Sequence, residues 1–159
     1  MTPLFKKLNL KDPRSIHVVQ APDSFQAELK AISKTFSVAT SLSGSQPVEF
    51  FLAFVTKQNE VNTVSKQVSA RLVDDGLLWL AYPKGSSKKY TCDFNRDTGW
   101  AELGKLGFEP VRQIAIDEDW SALRFRRVAH IKKMTRSFAL TSEGKQKVKA
   151  AKKKTQTKK

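Results

Sequence analysis

Six residues stand just past apolar runs of the chain, where an α/β sheet would present its carboxyl edge: Gln20 and Asp23, Thr56 and Lys57, and Lys84 and Ser86. Their amide, hydroxyl, carboxylate and ammonium groups suit a nucleotide or another small anion, since lysines converging on one edge favour negative charge. Lys88, Lys89 and Tyr90 continue the segment that begins at Lys84. Ordinary solvated loop lysines would give the same pattern, so the pattern alone does not make a site. Catalytic groups are scarcer. His17 lies in an apolar run and His130 in a basic one, neither with a carboxylate at a fixed spacing, and no G-x-S-x-G, H-E-x-x-H, Walker or paired-cysteine motif occurs. Asp117, Glu118 and Asp119 fit a solvated turn better than a cation site. No catalytic residue and no metal ligand is expected.

The elements that must position these residues follow from hydrophobic patterning. Ser15 to Val19 reads as a strand, with Asp23 or Ser24 capping a helix from Phe25 to about Ile32. Thr35 to Thr40 reads as a second strand and Ser41 to Pro47 as a turn. Val48 to Val55 (VEFFLAFV) is a near-continuous apolar run, the signature of a central strand covered on both faces. Val61, Val64, Val68 and Leu72 recur at helical spacing, which predicts a helix over Asn59 to Val73 stopped at Asp74-Asp75-Gly76. Leu77 to Tyr82 is a further buried strand, ended by Pro83. Thr98 to Leu106 predicts a helix broken by Gly107, and Pro110 to Ile116 with Ala122 to Arg127 a terminal antiparallel hairpin. Trp79 and Trp120 are read as packing residues. The fold class expected is α/β, a Rossmann-like, mostly parallel sheet ending in an antiparallel hairpin, followed by a basic tail.

Lys7-Leu8-Asn9-Leu10, Gln20-Ala21-Pro22-Asp23-Ser24-Phe25, Phe54-Val55-Thr56, Gly76 to Lys84 (GLLWLAYPK) and Ile116 to Phe125 (IDEDWSALRF) together resemble an uncharacterised bacterial family. Its members are short, methyltransferase-like Rossmann domains of unknown function lacking the glycine-rich cofactor loop. The resemblance spans about Leu4 to Arg127, and its most specific parts are Tyr82-Pro83-Lys84 and the Asp-Glu-x-Trp-Ser-x-Leu stretch. It implies a fold and no reaction. The first strand-to-helix turn, Gln20-Ala21-Pro22-Asp23-Ser24, contains no glycine, and Pro22 removes an amide donor. No cofactor is therefore expected there in the usual mode.

Charge is divided unevenly along the 159 residues. Arg124 to Lys159 hold fourteen Lys or Arg against one acid, Glu143, which leaves fifteen basic and fourteen acidic residues in Met1 to Leu123. Residues 1–133 are expected to form one domain and 134–159 a disordered arm, because like-charge density opposes a helix there. Such an arm favours nucleic acid, since neutralised phosphates release counterions whatever the base sequence. Nucleic-acid contacts would come from Arg126, Arg127, Lys132, Lys133, Arg136, Lys145, Lys147, Lys149, Lys152, Lys153 and Lys154. Few apolar residues follow Leu140, so no membrane partner is expected. Cys92 is the only cysteine and admits no internal disulfide. With neither a secretory h-region nor a spanning run, the expected compartment is cytoplasmic. The function expected is a non-catalytic domain that associates with DNA or RNA, ribosomal RNA included, through its arm. The alternative is a methyltransferase-like enzyme, or a nucleotide or anion sensor, using the carboxyl edge. Oligomeric state is not readable.

Overall fold

A computed structural model of the chain describes residues 2–11, 15–95 and 97–131. Within them a six-stranded sheet is covered on both faces by helices. In chain order the elements are α1 (Pro3–Lys7), β1 (Ile16–Val19), a 3₁₀ turn (Asp23–Phe25) leading into α2 (Gln26–Ile32), β2 (Val38–Ala39), β3 (Val48–Phe54), α3 (Gln58–Ser69), β4 (Leu72–Pro83), α4 (Ala101–Lys105), β5 (Phe108–Ala115) and β6 (Trp120–Arg127), then a 3₁₀ turn (Val128–His130). The strand order is β2-β1-β3-β4-β6-β5. β2, β1, β3 and β4 pair in parallel, whereas β6 runs antiparallel to both β4 and β5. This is the methyltransferase-like Rossmann arrangement: a doubly wound sheet whose order reverses between β1 and β3, with one reversed strand inserted before the far edge.

Burial explains the order. Of β3, only Glu49 is not fully buried, and Phe50, Leu52 and Phe54 face one core while Phe51 and Ala53 face the other. The first core seats α1 through Phe5 and Leu8 and α2 through Ile32, and the second seats α3 through Val61, Val64 and Val68 and α4 through Leu103. Trp79 is wholly buried, and its Nε1 donates to the Leu8 carbonyl at 2.9 Å, which ties the segment after α1 to β4. α1 begins where Thr2 Oγ1 accepts from the Phe5 amide with Pro3 at the first helical position, and this short helix had no counterpart among the expected elements.

Several boundaries depart from the sequence reading. The predicted strand Thr35 to Thr40 shrinks to Val38–Ala39, paired only with β1 at the sheet edge. Neither Asp23 nor Ser24 caps α2; both sit in the preceding 3₁₀ turn. α3 stops at Ser69 rather than Val73, because Leu72 pairs with Val48 and opens β4. Gly76 is thus no helix stop: it lies inside β4, in a bulge where the register jumps between Val48↔Leu72 and Phe50↔Leu77. A Cβ at Gly76 would come within 2.7 Å of Leu72 side-chain atoms, so the bulge needs a glycine. α4 is shorter than Thr98 to Leu106, but Gly107, at φ 89°, does end it in the left-handed region. β5 carries Pro110, which is tolerated on an outermost strand.

The candidate site at the carboxyl edge

All six residues anticipated at the carboxyl edge do follow strand ends, but they do not form one pocket. Gln20 ends β1 with φ 60°, a left-handed conformation that costs a non-glycine residue about 1–2 kcal/mol. It and Asp23 are exposed. Beyond β3 the chain has filled its own amide donors. Glu60, the third residue of α3, folds back so that one carboxylate oxygen accepts from the Thr56 amide at 2.9 Å, the Thr56 hydroxyl at 3.2 Å and the Lys57 amide at 3.0 Å. This is half of a capping box, since the Lys57 side chain has no acceptor for the other half. The next amide, Gln58, donates to Asp93 Oδ1 at 2.7 Å. The helix-end donors that would hold a carboxylate or pyrophosphate are therefore occupied by Glu60 and Asp93. With Pro22 and no glycine in the first turn, the switch point does not fit S-adenosylmethionine in the mode usual for this fold.

A cleft opens instead over the end of β4. It encloses about 680 Å³ and is lined by Tyr82, Pro83, Lys84, Gly85, Tyr90, Phe94, Asn95, Asp97, Trp100 and Gln113, among others. Of the six anticipated residues, only Lys84 lines it. Ser86 is exposed beside it, as are Lys88 and Lys89. Trp100 stacks edge-on against Tyr82 at 5.4 Å and Phe94 at 5.3 Å, and the Tyr82 hydroxyl accepts from Gln113 Nε2 at 2.7 Å. Tyr90 packs on Trp120 at 4.9 Å, which in turn meets Phe54 at 5.1 Å. The wall is thus continuous with both cores.

The segment that carries these rings is held at both ends. The Lys84 amide donates to the Asp119 carbonyl at 2.8 Å, Ser87 Oγ donates to Asp119 Oδ1 at 2.8 Å, and Tyr90 N donates to Ser87 Oγ at 3.1 Å. Asp93 N donates to the Thr56 carbonyl at 2.9 Å, and Gln58 Nε2 to the Gly99 carbonyl at 2.8 Å. Asp117 closes the β5–β6 turn by accepting from the amides of Asp119 and Trp120. The acids of that turn therefore brace the cleft. Among the described residues no cluster of His, Cys, Asp or Glu could hold a metal ion.

Of the residues assigned to nucleic-acid contact, only Arg126 and Arg127 lie among those described, and both are engaged within the domain. Arg126 grips Asp75 through two bonds of 2.9 and 2.8 Å. Arg127 donates to the carbonyl of Ser69, the last residue of α3, and to those of Leu72, Val73 and Asp74 in β4, with its guanidinium 5.1 Å from the Phe108 ring centre. Lys132, Lys133, Arg136, Lys145, Lys147, Lys149, Lys152, Lys153 and Lys154 lie outside the described residues. No helix among the described residues is long and apolar enough to cross a membrane.

No family model matches the chain, and no curated protein matches it. Similar solved structures include methyltransferases. They include the N-methyltransferase NodS from Bradyrhizobium japonicum, at 15% identity and TM-score 0.43 over 72% of this chain and 74% of that one, and a ribosomal-protein methylase from Lactobacillus delbrueckii subsp. bulgaricus, at 12% and 0.45 over 71% and 57%. A methyltransferase from Pyrococcus furiosus is 11% identical, with TM-score 0.43, over 71% of this chain and 62% of that one. The chain thus spans little more than half the length of the second of these. The expectation of a non-catalytic domain acting through a nucleic-acid arm is corrected toward its alternative at the carboxyl edge, where the chain builds an open cleft while Arg126 and Arg127 are engaged within the domain.

Proposed function

We propose that this chain is a methyltransferase-like domain whose carboxyl-edge cleft binds a nucleoside-bearing ligand, S-adenosylmethionine or a nucleotide. The observation that carries the reading is the meeting of aromatic rings and opposite charges in one cleft at the end of β4: Tyr82, Tyr90, Phe94 and Trp100 with Lys84 and Asp97. Tyr90 is half-buried and offers a ring to the flat face of a purine, while Tyr82, Phe94 and Trp100 are buried and form the apolar floor. Lys84 suits the carboxylate or phosphate of the same ligand, and Asp97 suits an amine or ribose hydroxyls. The occupied amides after β3 argue for seating in this cleft rather than at the switch point. Methyl transfer would require S-adenosylmethionine in the cleft. A nucleotide there would make the domain a sensor.

Isothermal titration of the full chain with S-adenosylmethionine, S-adenosylhomocysteine and ATP at constant ionic strength tests this. One of them is expected to bind, with Lys84→Ala weakening it about tenfold, the order of one charge-assisted hydrogen bond. Tyr90→Ala should weaken it further by loss of stacking. No heat and no thermal stabilisation with any of the three would overturn the reading. Binding indifferent to both substitutions would move the site elsewhere.

A further inference from the structure

A second cavity, also of about 680 Å³, lies at the opposite end of β4, against the bulge that Gly76 makes. Asn9, Lys11, Glu49, Asp75, Arg124 and Arg126 supply its polar lining. Three cations therefore face two carboxylates, and Asp75 is gripped from both oxygens by Arg126. Arg124 is differently placed. It stands on β6 between Trp79 of β4 and Arg112 of β5, half-buried, and its Nε is buried with no hydrogen-bond partner. Burial and the like charges of Arg126 and Arg112 disfavour its protonated form, opposed by the charge of Asp75, whose oxygens Arg126 already holds. A guanidinium has no neutral state to retreat to near neutral pH, so it needs a counter-ion. Asn9, on the same rim, holds φ 63° as the left-handed residue that ends α1, its amide donating to the Lys6 carbonyl and that of Leu10 to the Phe5 carbonyl.

We infer that this amino-edge cavity is a binding site for a compact oxyanion of the phosphate class, with the Arg124 guanidinium as its principal donor and Lys11 at the rim. Asp75 serves as a positioning residue, since its clamp on Arg126 holds that side chain in place. The fork of an arginine matches two phosphate oxygens at once, which a lysine cannot do. Among the described lining residues, Lys11, Arg124 and Arg126 against Glu49 and Asp75 leave a net positive charge of one, which suits a compact anion better than a highly charged polymer. This site lies at the opposite edge of the sheet from the proposed nucleoside cleft and does not depend on it.

The test is titration of the full chain with inorganic phosphate and pyrophosphate at constant ionic strength, read by calorimetry and by ³¹P line broadening. Arg124→Met is expected to weaken binding about tenfold and Lys11→Gln severalfold, while Lys105→Gln, exposed and outside both cavities, leaves it unchanged. Should Arg124→Met fail to fold, Arg124→Lys keeps the charge and much of the stem but loses the fork; affinity should fall severalfold with the anion-free melting temperature unaltered. Unchanged affinity in either Arg124 variant would overturn the inference. So would absence of binding, or binding abolished by Lys152, Lys153 and Lys154→Gln and spared by Arg124→Met, which would assign it to the basic tail. Loss on Lys84→Ala would assign it to the cleft.

Discussion

At its carboxyl edge the sheet ends β3 and β4 in opposite ways. After β3 the amides of Thr56, Lys57 and Gln58 are bonded to Glu60 and Asp93, carboxylates of the chain itself. After β4 the chain swings out through Lys84 and returns with Tyr90, Phe94 and Trp100 around open space. The two places share one fold position, yet only one retains room and unspent polar groups. A fold therefore marks where a ligand can sit, and side-chain accounting decides whether it does. Glu60 is the residue on which the difference turns, because it supplies as an internal partner the negative charge that a ligand would bring.

The comparison can be broken most forcefully at Trp120, which is 3% exposed and bridges Phe54, at the end of β3, to Tyr90, in the cleft wall. Trp120→Ala is expected to lower stability by about 3–5 kcal/mol, measured by chemical denaturation, and to abolish cleft binding. Ligand affinity surviving that loss would show that the two places are independent. Glu60→Ala comes next. Releasing three donors should cost about 1–2 kcal/mol and leave nucleoside affinity in the cleft unaltered; a large gain in affinity would mean that the switch point was the true site, blocked.

Smaller effects concern strands on either side. His17 in β1 is buried, and burial first and Arg71 second hold its pKa below the ordinary 6.5. Folding then favours the neutral ring, so stability is full above about pH 6.5 and declines as the pH falls below it toward the lowered value. His17→Gln should flatten that decline, seen as a melting temperature less dependent on pH between 5 and 7. The smallest expected change is at Asp75, whose carboxyl is held below its usual range by its hydrogen bonds to Arg126. Its contribution is present above about pH 4 and lost as the carboxylate protonates, and because the pair is partly solvated it amounts to less than about 1 kcal/mol. Asp75→Asn should therefore shift the melting temperature by only a few degrees at neutral pH.

Legibility in the sequence followed local redundancy. VEFFLAF, LLWLAY and the Val61, Val64, Val68 spacing repeat one message over several residues, and β3, β4 and α3 appear where that message places them. The boundary at Leu72 was not legible, because the same leucine continues the helical spacing and also opens a strand, and only its partner Val48 chooses between them. Lys84 could be picked out as a strand-end cation. Phe94, Asp97 and Trp100 could not, since nothing in a stretch broken by Asp93, Asn95 and Gly99 says that its rings return to the end of β4. The density of aromatics between Tyr90 and Trp100 was the one available signal.

Composition and periodicity by themselves determined an α/β domain with a doubly covered central strand, a closing antiparallel pair, a first turn without glycine and positive charge concentrated toward the end of the sequence. These are properties of neighbours along the chain, where hydrophobic period and turn chemistry act over a few residues. Tertiary structure alone decided that Glu60 and Asp93 occupy the donors after β3, that the usable cleft stands beyond β4, and that Arg124 is buried without a partner for its Nε. Each of those depends on which distant residues meet. Burial and hydrogen-bond satisfaction are set by three-dimensional neighbours, and so they emerge only once the sheet has been assembled.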